Sequence, residues 1–454
     1  MTKSSLLASD RRIEQAKKLI LEAVLDHQQQ LKGIRPPDPA LKHSYDALIA
    51  SFNQARGGNL YFPYIGSGFG SGPLVELMDG SVKYDMISGI GVHYLGHCNT
   101  ALIMSSLDAA LSDTIMQGHL QQNGDVVQLC ELLIRASGMD HCFLTSSGAM
   151  ANENALKIAF QKQFPANRIL AFEHCFAGRT LALAQITDKP AFREGLPSNI
   201  IVDYIPFYDH QKPEESIYRS TQALKNHLAR YPKQHAVFIA ELVQGEGGFF
   251  PGTREFFQSL MQIAKDNGIT ILIDEVQTFG RTPSLFAFQH FGLEKYADIV
   301  TIGKLSQVCA TLFKKELKPR PFLLSQTFTS STAAIRAAKV IIETLLSDGF
   351  FGPTGKINTV HQAFVSHFES ISKQYPGLIS GPYGIGAMIA FTPFDGETKR
   401  TAQFAQDLFQ AGVVTFIAGS NPTRIRFLPP VGALTTEDID NVMKIVEKTL
   451  TGRQ

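Results

Sequence analysis

A chain of 454 residues is too long for one ordinary core, so about two or three domains are expected, with room for a large buried sheet. Lys and Arg number 42 against 41 Asp and Glu, and the net charge of +1 offers no electrostatic footprint for nucleic acid or another polyanion. The five cysteines, Cys98, Cys130, Cys142, Cys175 and Cys309, are odd in number and lack Cys-x-x-Cys spacing, which argues against a disulfide framework and a zinc site. With no leader-like segment and no apolar run of about 18 residues, the expectation is a soluble cytoplasmic protein without membrane contact.

Residues 1–50 read as a helical arm. Between 10 and 32, Ile13, Ala16, Ile20, Ala23 and Val24 fall on one helical face, as a segment packed on a domain or a second subunit would have them. The cluster Arg35-Pro36-Pro37-Asp38-Pro39 ends it. Residues 51–85 read as the first part of a small domain. The glycine-rich stretch 66–73 lacks the Gly-Lys-Ser/Thr ending of a phosphate loop and reads as a flexible turn, whereas 74–86 reads as a hairpin around Asp79-Gly80. His93 and His97 have helical metal spacing, but Gly96 intervenes and no acid stands close in sequence, so local hydrogen bonding is the expectation and no metal.

From 86 to 330 a large α/β domain is expected. Short apolar runs at 142–144, 169–172, 236–240, 269–273 and 297–302 alternate with helical segments, the pattern of a mainly parallel sheet. Residues 331–454 read as a smaller α+β domain opened by a helix at 331–346 and closed by one at 437–450.

Two strand ends are candidates for chemistry, set against the plainer reading of a turn acid and a surface lysine. The run 269–273 stops at Asp274, and the run 297–302 is followed by Gly303-Lys304. Ligands of such sheets bind beyond the carboxyl ends of strands. A lysine amine for a Schiff base and an acid against a ring nitrogen are what pyridoxal phosphate requires. At other strand exits stand Ser147-Gly148-Ala149, a glycine turn opening a helix and suited to an anion; Phe176 and Arg179, an aromatic for stacking and a fork for a carboxylate; and Glu241 with Glu246. Arg424 and Arg426 alternate onto one side of a short strand, where either a substrate carboxylate or solvent could meet them. No Gly-x-Ser-x-Gly elbow supports a hydrolase.

Taken in order, Ser147-Gly148-Ala149, Phe176-Ala177-Gly178-Arg179-Thr180, the stretch 241–248, Asp274-Glu275-Val276-Gln277-Thr278, Lys304, Thr327-Phe328 and Arg426-Phe427-Leu428-Pro429-Pro430 resemble the class III, ornithine/4-aminobutyrate-type family of pyridoxal-phosphate aminotransferases, from about residue 60 onward. The resemblance implies a fold-type I transferase acting as a homodimer with shared active sites. It implies pyridoxal 5'-phosphate held by Gly148, Ala149, Phe176, Asp274, Val276, Gln277, Lys304 and the neighbouring subunit's Thr327. Catalysis would rest on Lys304, as Schiff-base lysine and proton shuttle, with Asp274. Substrate handling would fall to Arg179, Glu246, Arg426 and Ile90. In ω-amino-acid members the counterpart of Arg426 binds the α-carboxylate of 2-oxoglutarate, and that of Glu246 pairs with the arginine when the ω-amino donor is bound.

The implied activity is ping-pong transfer from an ω-amino or diamino acid to 2-oxoglutarate. Gln307-Val308-Cys309 resembles lysine 6-aminotransferases, and Ile90, where ornithine enzymes have tyrosine, resembles the 4-aminobutyrate branch. Lysine or 4-aminobutyrate is therefore favoured over ornithine as donor. Departures are Met150 for an acid, Ala177 for histidine, Leu242 for proline and Thr329-Ser330-Ser331 for a glycine-asparagine turn. An aminomutase or racemase, or a non-catalytic cofactor-binding protein on this scaffold, is the alternative.

Overall fold

Five of the short apolar runs become strands of one seven-stranded sheet. In the computed structural model, which describes residues 2–113, 118–347 and 349–452, these are β1 (His141–Thr145), β2 (Arg168–Phe172), β4 (His235–Ala240), β5 (Thr270–Glu275) and β6 (Ile299–Ile302). Two strands were not expected: β3 (Ile201–Ile205) and β7 (Cys309–Phe313). The spatial order is β1-β7-β6-β5-β4-β2-β3. Pairings from β6 through β3 are parallel, while β7 runs antiparallel to both β6 and β1. The reason is chain length: the short connection between Ile302 and Cys309 is no match for the dozen or more residues of a parallel crossover.

This sheet belongs to a unit formed by Asp113–Asn358 with Gly384–Gly386. The helix Thr332–Ser347, placed at the start of a separate domain by sequence reading, groups with this unit, where it packs on the helix Gly124–Ser137 and on the turn Lys304–Ser306. The helix Gly148–Gln163 starts three residues after β1 with Ser147 as its cap, whose hydroxyl accepts from the Met150 N–H. Ala151, Ala155 and Ala159 on its inner face are wholly buried, and their small size lets the helix lie close on β5, β6 and β7.

At the amino-terminal edge of the sheet, Asp203 accepts from Nε and Nη2 of the Arg168 guanidinium at 2.7 Å each, and His235 Nε2 lies 2.8 Å from Oδ2, the oxygen that also meets Arg168 Nε. Arg168 also lies over the Tyr231 ring at 3.6 Å. Removing one member of a buried ion pair strands the other without water. Asp203→Ala is therefore expected to lower unfolding stability by about 3 kcal/mol near neutral pH, read by urea denaturation; a change below about 1 kcal/mol would mean that the pair is well solvated.

The second unit comprises Met1–Ser112, Thr359–Tyr383 and Ala387–Gln454. Its first sheet joins Gly66–Ser71, Leu74–Leu77, Val82–Asp85 and Val413–Val414. The glycine-rich stretch expected as a flexible turn is thus largely a strand. Its glycines serve close packing: a Cβ on Gly70 would lie 2.5 Å from both the His97 Cβ and the Leu74 carbonyl. The expected hairpin forms around Asp79-Gly80. His97 Nε2 meets Asp85 Oδ2 at 2.9 Å and the His93 ring lies against it; an acid does stand beside the histidines, supplied by a neighbouring strand.

The second sheet orders Ile379–Ile385, Met388–Pro393, Arg424–Phe427 and Phe416–Ala418. Arg424–Phe427 lies inside it, so the arginines are not solvated edge charges. Arg424 stacks 3.5 Å over the Tyr383 ring, and burial lowers its pKa to about 10. Arg426 is 1% exposed. The amino-terminal helices are Lys3–Ala8 and Arg11–Gln28, with Asp10 capping the second and Lys17 paired to Asp108. No helix among the described residues is long and apolar enough to cross a membrane.

Candidate active site

The strand exits converge on a cavity of about 310 Å³ inside the large-sheet unit, lined by Gly148, Ala149, Asn152, Phe176, Ala177, Gly178, Arg179, Glu241, Glu246, Asp274, Val276, Gln277 and Lys304. Asp274 stands one residue before the end of β5, and Lys304 two residues past β6. Parallel strands deliver both at the same edge. Lys304 holds φ +56°, a strained value for a residue with a Cβ and the sort of conformation that clusters at functional sites.

Asp274 is held from both oxygens. The Val276 N–H donates to Oδ1 at 2.9 Å and the Asn152 amide to Oδ2 at 2.6 Å. Burial raises its pKa, against these hydrogen bonds and the Lys304 charge. Glu241 accepts from the Phe176 N–H at 2.8 Å and the Gly245 N–H at 3.1 Å, tying the aromatic wall to the turn that carries Glu246. Burial, reinforced by Asp274, lifts its carboxyl to about 8. Glu275, behind the site, accepts from the Ala287 and Phe288 N–H groups at 2.7 and 2.8 Å, and burial still lifts it to about 7.

Both glutamates are raised above the ordinary value of 4.5, so across that interval the folded chain holds protons that the unfolded chain has released. Stability is then greatest below about 4.5 for this contribution and is lost as pH rises toward about 7 and 8. Glu241→Gln is expected to flatten the fall of the cofactor-free protein's melting temperature between pH 5 and 9, measured by calorimetry; an unchanged slope would place the Glu241 carboxyl at its ordinary value.

Arg179 is exposed in this chain, and its guanidinium lies 3.5 Å over the Phe192 ring, with Phe192 set edge-on to Phe176. Of the remaining expected residues, Thr327 is exposed and lines a separate groove with Gly118 and His119. Ile90 and Arg426 belong to the other unit. Among the departures, Ala177 is buried and its carbonyl accepts from Asn152, and Leu242 is wholly buried. Among the described residues, no group of His, Cys, Asp and Glu could hold a metal ion.

The family model described as aminotransferase class-III matches residues 67–450. The chain belongs to the class-III aminotransferases. Curated relatives include an acetylornithine aminotransferase of Bacillus cereus, 30% identical over 84% of this chain and 93% of its own length, and one of Archaeoglobus fulgidus, 28% identical over 83% and 93%. Among solved structures, a lysine aminotransferase from M. tuberculosis superposes with a TM-score of 0.80 at 22% identity, covering 89% of this chain and 99% of its own. An ornithine aminotransferase from Toxoplasma gondii does so with a TM-score of 0.77 at 20% identity, covering 90% and 95%. These neighbours share the fold-type I architecture.

Class-III aminotransferases use pyridoxal phosphate, and the cavity fits it. Gln277 Oε1 is buried with no protein partner and lines the cavity. Gly148 is required where the helix begins, since a Cβ there would come within 2.6 Å of Val276 Cγ1. An amine, a carboxylate, a planar aromatic and a helix amino terminus thus face one space.

Sequence reading missed Asn152. A signal was present, because Asn152 shares a helical face with Ala155 and Ala159, and an amide placed among small buried residues needs a partner.

Proposed function

We propose that this class-III aminotransferase moves the amino group of an ω-amino or diamino acid to 2-oxoglutarate in two half-reactions. One observation carries the reading: Arg179 and Glu246 line the same cavity as Asp274 and Lys304, so a guanidinium for a distant carboxylate stands beside the groups for amine chemistry. Bound pyridoxal phosphate supplies a pyridinium that withdraws electrons from the substrate carbon. With the cofactor bound, Asp274 would favour its charged form, Lys304 Nζ would carry the proton to and from the substrate carbon, and Phe176 and Val276 would hold the ring. Gln277 would bond its hydroxyl, while the N–H groups of Gly148 and Ala149 would receive the phosphate.

Arg426, for the α-carboxylate of 2-oxoglutarate, and Ile90 enter through family resemblance. A homodimer in which Thr327 reaches the partner's phosphate group is supported by the exposure of that residue. Unpaired cysteines support a cytoplasmic setting.

Lysine and 4-aminobutyrate are the favoured donors on the sequence features at Gln307-Val308-Cys309 and Ile90. Acetylornithine is a second reading, favoured by the names of the curated relatives. A stopped-flow screen of lysine, ornithine, acetylornithine, 4-aminobutyrate and diaminobutyrate, following loss of the visible band and its return with 2-oxoglutarate, tests both. Loss of the band with none of them would reject the reading.

Arg179→Ala is expected to raise KM by about 10- to 100-fold for donors with a distal carboxylate, with little change for a simple terminal amine. Equal effects on both donor types would remove Arg179 from substrate recognition.

A further inference from the structure

Three polar side chains stand in a row across the large sheet. Asp274 on β5 is paired in register with Thr301 on β6, and Thr301 with Thr311 on β7, so all three face one side. The helix Gly148–Gln163 lies on that side and answers all three. Thr311 Oγ1 donates to the Ala151 carbonyl at 2.8 Å, and Thr301 Oγ1 donates to Asn152 Oδ1 at 2.8 Å. The Asn152 amide nitrogen in turn donates to Asp274 Oδ2 at 2.6 Å and to the Ala177 carbonyl at 2.8 Å. Asn152, Thr301 and Thr311 have next to no exposure, so no water competes for these bonds.

The order of donors matters. Turned the other way, the amide would set its oxygen against a carboxylate oxygen and its nitrogen beside the threonine hydroxyl. The Ala177 carbonyl and the Asp274 carboxylate, which only accept, select one orientation, and the Thr301 hydroxyl donates to the Oδ1 that this orientation presents. With Val276 N–H on Oδ1 and Asn152 on Oδ2, the carboxylate is held at both ends and cannot rotate. Without Asn152, Oδ2 would be buried with no side-chain donor, which favours the neutral acid.

We propose that Asn152, anchored by Thr301, is a positioning residue that holds the Asp274 carboxylate at one rotation and in its charged form toward the cofactor ring nitrogen. The inference rests on the reading of Asp274 as the ring-nitrogen acid. It separates two ties that look alike: Thr301 acts through Asn152 on the acid, while Thr311 only fastens the helix to the sheet.

The test is the affinity of the full-length, cofactor-freed protein for pyridoxal 5'-phosphate, titrated by visible absorbance, together with melting temperature. Asn152→Leu, of similar volume, is expected to weaken binding at least about tenfold and Thr301→Val about threefold or more, whereas Thr301→Ser should return to within about twofold of the parent. Thr311→Val should lower the melting temperature and leave the affinity as it was. Asp274→Ala serves as the reference for loss of the acid. If Asn152→Leu and Thr301→Val only lower the melting temperature, as Thr311→Val does, while Asp274→Ala weakens binding, the inference is overturned and the reading of Asp274 stands. If Asp274→Ala binds as the parent does, both fall. Should Asn152→Leu fail to fold, the Thr301→Val and Thr301→Ser pair decides: loss with valine and recovery with serine supports the relay, and equal affinities overturn it.

Discussion

Lys304→Ala is expected to slow the donor half-reaction by at least about 10⁴-fold while the chain still folds. The lysine follows β6 at the mouth of the cavity, and its amine has no nearby substitute: the other pocket-lining side chains are carboxylates, amides, an arginine and apolar groups. Arginine cannot give up its proton in the accessible pH range, and the carboxylates have the wrong charge for the nitrogen exchange. Single-turnover absorbance with an active donor measures the loss. Borohydride treatment provides an independent reading, since it should fix the cofactor to a peptide containing Lys304 in the parent and to none in the variant. A rate within about tenfold of the parent would move the reacting amine elsewhere.

Asp274→Asn is expected to cost about a thousandfold in the same half-reaction, with the fold unchanged. The amide keeps the shape of the side chain and removes its charge. A unit charge pair about 4 Å apart in an environment of effective dielectric about 20 is worth about 4 kcal/mol, which corresponds to about three powers of ten. The environment at Asp274 is less favourable to charge than the surface, because burial raises its pKa and the Asn152 amide, the Val276 N–H and Lys304 oppose that rise. The measurement is kcat at saturating cofactor, with cofactor occupancy checked by absorbance. A loss of less than about tenfold at full occupancy would mean that the ring nitrogen does not need a charged partner here.

Much of the site was legible because its signals are local. A β-branched run that ends at an acid reports both a strand and its exit, and Asp274 and Lys304 stand where those runs stop. The same applies to Gly148 at the head of a helix and to Phe176 past β2. Other elements were hidden because their character depends on distant residues. β3 carries a charged Asp203 within it and does not stand out as a strand, because the charge is explained only once Arg168 and His235 are placed against it. The stretch 66–71 reads as turn because glycine is permissive, yet close approach of His97 is what demands Gly70. Arg424 can be read as a solvated edge charge, but its strand lies inside the second small sheet and the Tyr383 ring, about forty positions earlier, covers its guanidinium.

By itself the sequence determined the parallel α/β pattern, the ordered set of strand-end residues and, through them, the family and its cofactor. Those depend on residue type and on spacing within a few positions, which secondary structure reads directly. The tertiary structure decided which of these side chains share one cavity, that β7 returns antiparallel, and that Asn152 stands between Thr301 and Asp274. Asn152 stands more than a hundred positions from both Asp274 and Thr301, and only packing of the helix on the sheet, with water excluded, makes a single amide hydrogen bond matter to a carboxylate.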